Sequence, residues 1–180
     1  FKSLTINASG DKIICGIDDN DIKLWDICLD DFEYFRGHEN SVISLVLTPD
    51  EEILASGSYS EIKIWDMITS ECLNTFKGHD CWIYTLAVTS DGKKLISGSG
   101  DNSIKIWNIQ SGFCIKTLIG HNDAVKTLLI TPNGKNIISS SNDKTIKIWN
   151  IQTGECLKTI ESYYNGSSLA ITPDGKYIIL

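Results

Sequence analysis

Arginine is almost missing from this chain: Arg36 is the only one, beside fifteen lysines. Bidentate grip on phosphate or carboxylate leans on the planar guanidinium fork, so phosphopeptide recognition by these residues is not expected. A bilayer-spanning apolar run is missing too, the longest clusters, such as Leu45 to Leu47, being strand-sized. The chain begins with Phe1, and no basic segment leads into an apolar stretch and a small-residue cleavage site. It therefore reads as a fragment without a secretory leader. The motifs of phosphate-binding loops, nucleophile elbows and zinc-binding helices do not occur, and His38, His79 and His121 are not spaced as metal ligands. No cofactor, no metal and no enzymatic activity are expected of these residues.

What is present is acidic, and unevenly so. The formal net charge is −7, yet residues 1–66 hold fourteen Asp and Glu against five Lys and Arg, while 67–180 hold nine against eleven. A phosphate-tracking surface is therefore not expected in the first third, and no nucleic-acid partner is expected at all. Of the six cysteines, Cys72, Cys114 and Cys156 lie 42 residues apart at one recurring position. Equivalent positions on successive units are too far apart for a disulfide, so these cysteines are expected to be small buried strand residues. Cys15, Cys28 and Cys81 form no C-x-x-C pair and are expected to be small buried residues likewise, which suits a reducing, cytoplasmic compartment.

The recurrence extends to the whole chain. S-E-I-K-I-W-D ends on Trp65 and Asp66, N-S-I-K-I-W-N on Trp107 and Asn108, K-T-I-K-I-W-N on Trp149 and Asn150, and a looser N-D-I-K-L-W-D on Trp25 and Asp26. The tryptophans are 40, 42 and 42 residues apart, a period that marks an array of supersecondary units. Within each unit the apolar runs are four to six residues long, rich in Ile and bounded by Gly, Asp, Asn or Ser. That pattern predicts strands and turns, not helices. Four short antiparallel strands per unit make one small sheet, and sheets this small must stack side by side to bury their faces.

Turns repeat as well: T-P-D-E, T-S-D-G, T-P-N-G and T-P-D-G start at Thr48, Thr89, Thr131 and Thr172. Their last residue needs positive φ, which Gly supplies, so Glu51, standing in for that Gly, predicts a different turn. The units run approximately over residues 1–36, 37–77, 78–119 and 120–160, with a partial fifth over 161–180.

Gly37-His38, Gly78-His79 and Gly120-His121 precede the tryptophans by 27, 28 and 28 residues, counted from the histidine. With the period, the S-G-S strand and W-D, they make the whole chain resemble the WD40-repeat family of β-propellers. The resemblance implies an all-β fold, an open arc of four four-stranded antiparallel blades plus two strands of a fifth, cut from a ring of about seven blades. The remaining blades would be partners of this segment.

The resemblance also implies a hydrogen-bonded tetrad in each blade, joining the histidine, a strand serine, a turn aspartate and the tryptophan. Carried onto this sequence, the third unit supplies His79, Ser99, Asp101 and Trp107, and the fourth supplies His121, Ser141, Asp143 and Trp149. The second has His38, Ser58 and Trp65 but Ser60 where an acid belongs; the first has Asp19 and Trp25 with Ile17 in place of serine. Because the constellation recurs, it is expected to be structural and not a proton relay.

Function is expected where residues break the repeat. Family partners dock where the G-H loops and the turns between second and third strands emerge, which points to Ser41, Ile43, Trp82, Tyr84, Ala124 and Lys126, with Asp18, Tyr59, Gly100 and Asn142 in the turns. Trp82 is the one tryptophan outside the repeat register, and with Tyr84 and Tyr59 it reads either as an aromatic anchor or as packing between blades. The acidic turn around Asp19 favours a partner with a basic segment. The chain is thus expected to be a non-catalytic scaffold for proteins or peptides, with no membrane partner. The alternative is the regulatory region of a larger kinase or NTPase.

Overall fold

In the computed structural model, which describes residues 2–17, 19–163, 165–166 and 168–179, the chain is built from strands alone, with no helix among the described residues. Blade I comprises β1 (Ser3–Ile6), β2 (Lys12–Gly16), β3 (Ile22–Asp26) and β4 (Asp31–Phe35), paired antiparallel in that order. Blade II comprises β5 (Ser44–Leu47), β6 (Ile53–Gly57), β7 (Tyr59–Asp66) and the first half of β8 (Cys72–Val88). The second half of β8 opens blade III, followed by β9 (Lys94–Ser99), β10 (Ile104–Asn108) and β11 (Cys114–Leu118). Blade IV holds β12 (Val125–Ile130), β13 (Asn136–Ser141), β14 (Thr145–Asn150) and β15 (Cys156–Glu161), and β16 (Ala170–Ile171) pairs β17 (Ile178–Ile179) beyond it. The arc is open, and β8 joins blades II and III into one seven-stranded sheet.

The I-K-I-W strand shows why the blades stack. Successive side chains point to opposite faces, so Ile62 and Ile64 enter one apolar cluster, with Leu95 and Trp107 of blade III. Trp65 enters another, with Ile14, Leu24 and Phe35 of blade I. Ile104 and Ile106 pack likewise with Trp149 of blade IV. Trp65, Trp107 and Trp149 thus face the preceding blade, and the isoleucines of their strands face the following one. A fourth cluster joins Ile138 and Ile146 to Leu169, with Ile171 and Ile178 against it.

Two expectations are corrected. Glu51 forms the same turn as its glycine counterparts: its N–H donates to Thr48 O at 2.9 Å, as Gly92 N–H does to Thr89 O, and its φ is 61° against 69°. The left-handed conformation is tolerated because the carboxylate is used, accepting the Ala8 N–H at 2.5 Å and so joining the corresponding turn of blade I. Cys72, Cys114, Cys156 and Cys28 are exposed, not buried, and Cys81 is half-buried; only Cys15 of the six is buried. The first three open the outermost strand of their blades, at the edge of the sheet, and Cys28 lies in the turn between β3 and β4.

Candidate partner-binding face

Each fully buried tryptophan ends a short polar chain. Trp107 Nε1–H donates to Ser97 Oγ at 2.8 Å, Ser97 Oγ lies 2.7 Å from His79 Nε2, and His79 Nδ1 lies 2.6 Å from Asp101 Oδ2. The same path runs from Trp149 through Ser139 and His121 to Asp143, at 2.8, 2.7 and 2.8 Å. Blade II repeats it from Trp65 through Ser56 and His38, and Glu61 Oε1 supplies the carboxylate at 2.8 Å. Ring and hydroxyl groups cut off from water need partners, and this chain supplies them.

Charge follows geometry. Burial pushes the His38 and His121 imidazoles below their ordinary pKa, outweighing the neighbouring Glu61 and Asp143. A neutral ring donates from Nδ1 to the carboxylate and accepts the serine O–H at Nε2, leaving the serine oxygen for the indole N–H. Burial would raise Asp143, but Thr145, the Asn122 N–H and His121 donate to it and hold it at about 2. Asp101 is held well below the carboxylate range, the hydrogen bonds of His79 and Ser103 overcoming its burial.

The serines expected in these chains stand elsewhere. Trp107 pairs with Leu95, and Ser97 lies opposite Lys105, so the indole reaches one diagonal neighbour across the strands. Ser99 is two residues further along β9, and no bond joins it to the indole. Ser99, Ser141 and Ser58 instead hold the G-H loops, donating to Cys81 O at 3.4 Å, Asp123 O at 2.8 Å and Asn40 O at 2.9 Å. The alternation of serines at 97 and 99 hid which of the two was the hub; the pairing register resolves it. In blade II, Ser60 takes positive φ in a turn one residue shorter, and the following Glu61, one methylene longer than Asp, spans the difference.

Among the described residues blade I shows no such chain. Cys15, opposite Lys23, occupies the hub position in place of Ile17, and Trp25 Nε1–H donates outward to Asp30 Oδ1 at 3.3 Å. Trp25 is half-buried and stacks on Phe32, while Asp19 is exposed and joins nothing to Trp25. Asp18 lies outside the described residues.

At the end of the blades where the G-H loops emerge, Tyr59 of blade II and Trp82 of blade III stand opposite each other in register, their rings edge-to-face at 5.4 Å. Tyr59 is 43% exposed and Trp82 half-buried. Tyr84 and Lys126 sit at β-bulges of their strands, the device that re-aims a side chain, and Lys126 Nζ lies 3.1 Å over the Tyr84 ring. A side chain at Gly100 would meet Cys81 Sγ at 2.7 Å and Tyr84 at 3.3 Å, so the turn there approaches closely. Ser41 and Ile43 are half-buried on blade II, and on blade IV Ala124 is buried and Asn142 half-buried.

The family profile described as "WD domain, G-beta repeat" matches residues 31–66, 70–108 and 112–150. The chain belongs to the WD40-repeat family. Nuclear distribution protein nudF 1 of Talaromyces marneffei is 35% identical over 78 residues, covering 41% of this chain and 17% of that protein. Apoptotic protease-activating factor 1 of Mus musculus is 26% identical over 100 residues, 56% of this chain and 8% of that protein. The human kinesin-like protein KIF21A is 36% identical over 93 residues, 50% of this chain and 5% of that protein. The chain therefore spans a small part of each relative's length. The first WD40 match starts at β4, the outer strand of blade I, and ends in β7 of blade II. Each sequence repeat thus laces two blades together covalently. Most of blade I, where the described residues show no polar chain, lies outside the matches.

Proposed function

We propose that these blades are a rigid, non-catalytic protein-interaction scaffold that holds protein or peptide partners on the face bearing Tyr59, Trp82 and Tyr84. The observation that carries this reading is the Tyr59–Trp82 pair, an accessible aromatic contact fixed by strand register on two adjoining blades. Aromatic anchors on rigid backbone are the residues that dominate interface energetics. The acidity of the first third supports a partner with a basic segment, through Asp19 and its neighbours. No helix of the described residues is long and apolar enough to cross a membrane. The free cysteines among the described residues suit a reducing, cytoplasmic compartment.

Chemistry by the histidines does not fit the geometry. Their side chains are at most 1% exposed, and one arrangement serves three blades. The regulatory kinase or NTPase reading finds no support in these residues.

The test is affinity capture with the full chain and the Trp82→Ala, Tyr84→Ala double variant, with Phe113→Ala at the opposite end of the blades as control. Captured partner is expected to fall by about tenfold or more in the double variant only. Undiminished recovery would overturn the anchor.

A further inference from the structure

Beside the aromatic pair, blades II and III leave a cleft of about 510 Å³ at the same end, lined by Glu39, Tyr59, Ser60, Glu61, Lys77 and Asp80 among others. Its origin is the shortened turn of blade II. In blades III and IV the network aspartate also accepts the N–H that follows the histidine, Asp80 N–H at 3.2 Å and Asn122 N–H at 2.9 Å. In blade II the acid sits one residue later, on the strand, and carries no such bond to the Glu39 N–H. The G-H loop of blade II is still held at Asn40 and Ser41 by Ser58, but at Glu39 it lacks the tie to the network acid that blades III and IV have.

We infer that this cleft receives a cationic side chain, lysine or arginine, from the partner protein held by the neighbouring aromatic anchor. Charge complementarity carries the assignment. Three carboxylates line the cleft against one ammonium, and Glu39 and Asp80 are exposed with no ion pair among the described residues. Glu61 is committed to His38 and Lys63, so Glu39 and Asp80 are the two acids left to meet an incoming charge. The exposed Tyr59 ring offers that cation a π surface in addition. The chain's own residues already show this pairing one blade on, where Lys126 covers Tyr84.

The inference rests on the proposed binding face, and its test separates the two. The isotope-labelled full chain is titrated with the capped tripeptides Gly-Arg-Gly, Gly-Lys-Gly and Gly-Glu-Gly while backbone amide shifts are followed. The two cationic peptides are expected to shift Glu39, Ser60 and Asp80, more weakly as salt rises, and the acidic peptide is not. The Glu39→Gln, Asp80→Asn variant is expected to weaken the cationic peptides about fivefold, with Asp174→Asn unchanged. Shifts spread over every acidic turn, or equal affinity in the double variant, would overturn the cleft. If the cleft fails while Trp82→Ala, Tyr84→Ala still loses its partner, the anchor stands alone. If the cationic peptides fill the cleft while that variant keeps its partner, the anchor fails and the cleft remains.

Discussion

A buried serine hydroxyl donates one hydrogen bond and accepts others, which is what Ser97 and Ser139 do between indole and imidazole. Removing that oxygen strands two buried groups at once. Ser97→Ala is predicted to cost about 2–3 kcal/mol, measured as a lowered urea midpoint. Ser99→Ala, which loses a 3.4 Å bond to Cys81 O and a 3.2 Å bond from the Asp101 N–H, is predicted to cost less, about 1 kcal/mol. Equal losses would show that Ser97 is not the hub. Titration follows the same groups. The folded-state pKa values of His38 and His121 are lowered, so the unfolded chain takes up the histidine protons first. Their contribution is complete above about pH 6.5 and declines as the pH falls through the folded values. Asp143 adds a second loss, from about 4 down toward 2. Stability measured against pH is expected to decline in two stages on acidification; a rise between pH 7 and 5 would contradict the assignment.

At the scale of the strand and the blade, the polar chains divide the molecule. Blades II, III and IV each contain one, whereas blade I has Cys15 at its hub and an indole turned to an exposed aspartate. Amides of β2 and β3 are therefore predicted to exchange with solvent faster than those of β9 and β10. Equal protection would mean that the chains add little to blade stability. Thiol accessibility checks the strand order independently. Cys28, Cys72, Cys114 and Cys156 should react with a thiol reagent in the native protein, while buried Cys15, its thiol pushed up by burial, should wait for unfolding. The strands themselves were legible because alternation, turn residues and period agree. The outward cysteines were not, because a strand's own pattern does not say whether it lies at the edge of its sheet. Nor could Glu51 be placed, since its compensation comes from Ala8 of another blade.

The whole molecule is an arc with two unlike ends. On blade I, Leu4 and Ile6 stand at the positions where Leu45 and Leu47 of blade II pack on blade I, yet they are 67% and 52% exposed. At the other end Tyr177 and Ile179 are 67% and 56% exposed. Apolar sheet faces of this kind associate, so sedimentation velocity of the chain is predicted to show species that grow with concentration. A single monomer boundary at every concentration would refute this.

The sequence by itself determined the period, the strands, the tryptophan register and the family resemblance, because each of these is a local pattern repeated until it is unambiguous. It also located the residues that break the repeat, Trp82, Tyr84 and Tyr59. Only the tertiary structure decided which serine joins tryptophan to histidine, that Glu61 replaces the missing aspartate, and that Tyr59 meets Trp82 across a blade boundary. Those outcomes depend on pairing register and on contacts between blades, which bring together residues that no spacing along the chain relates.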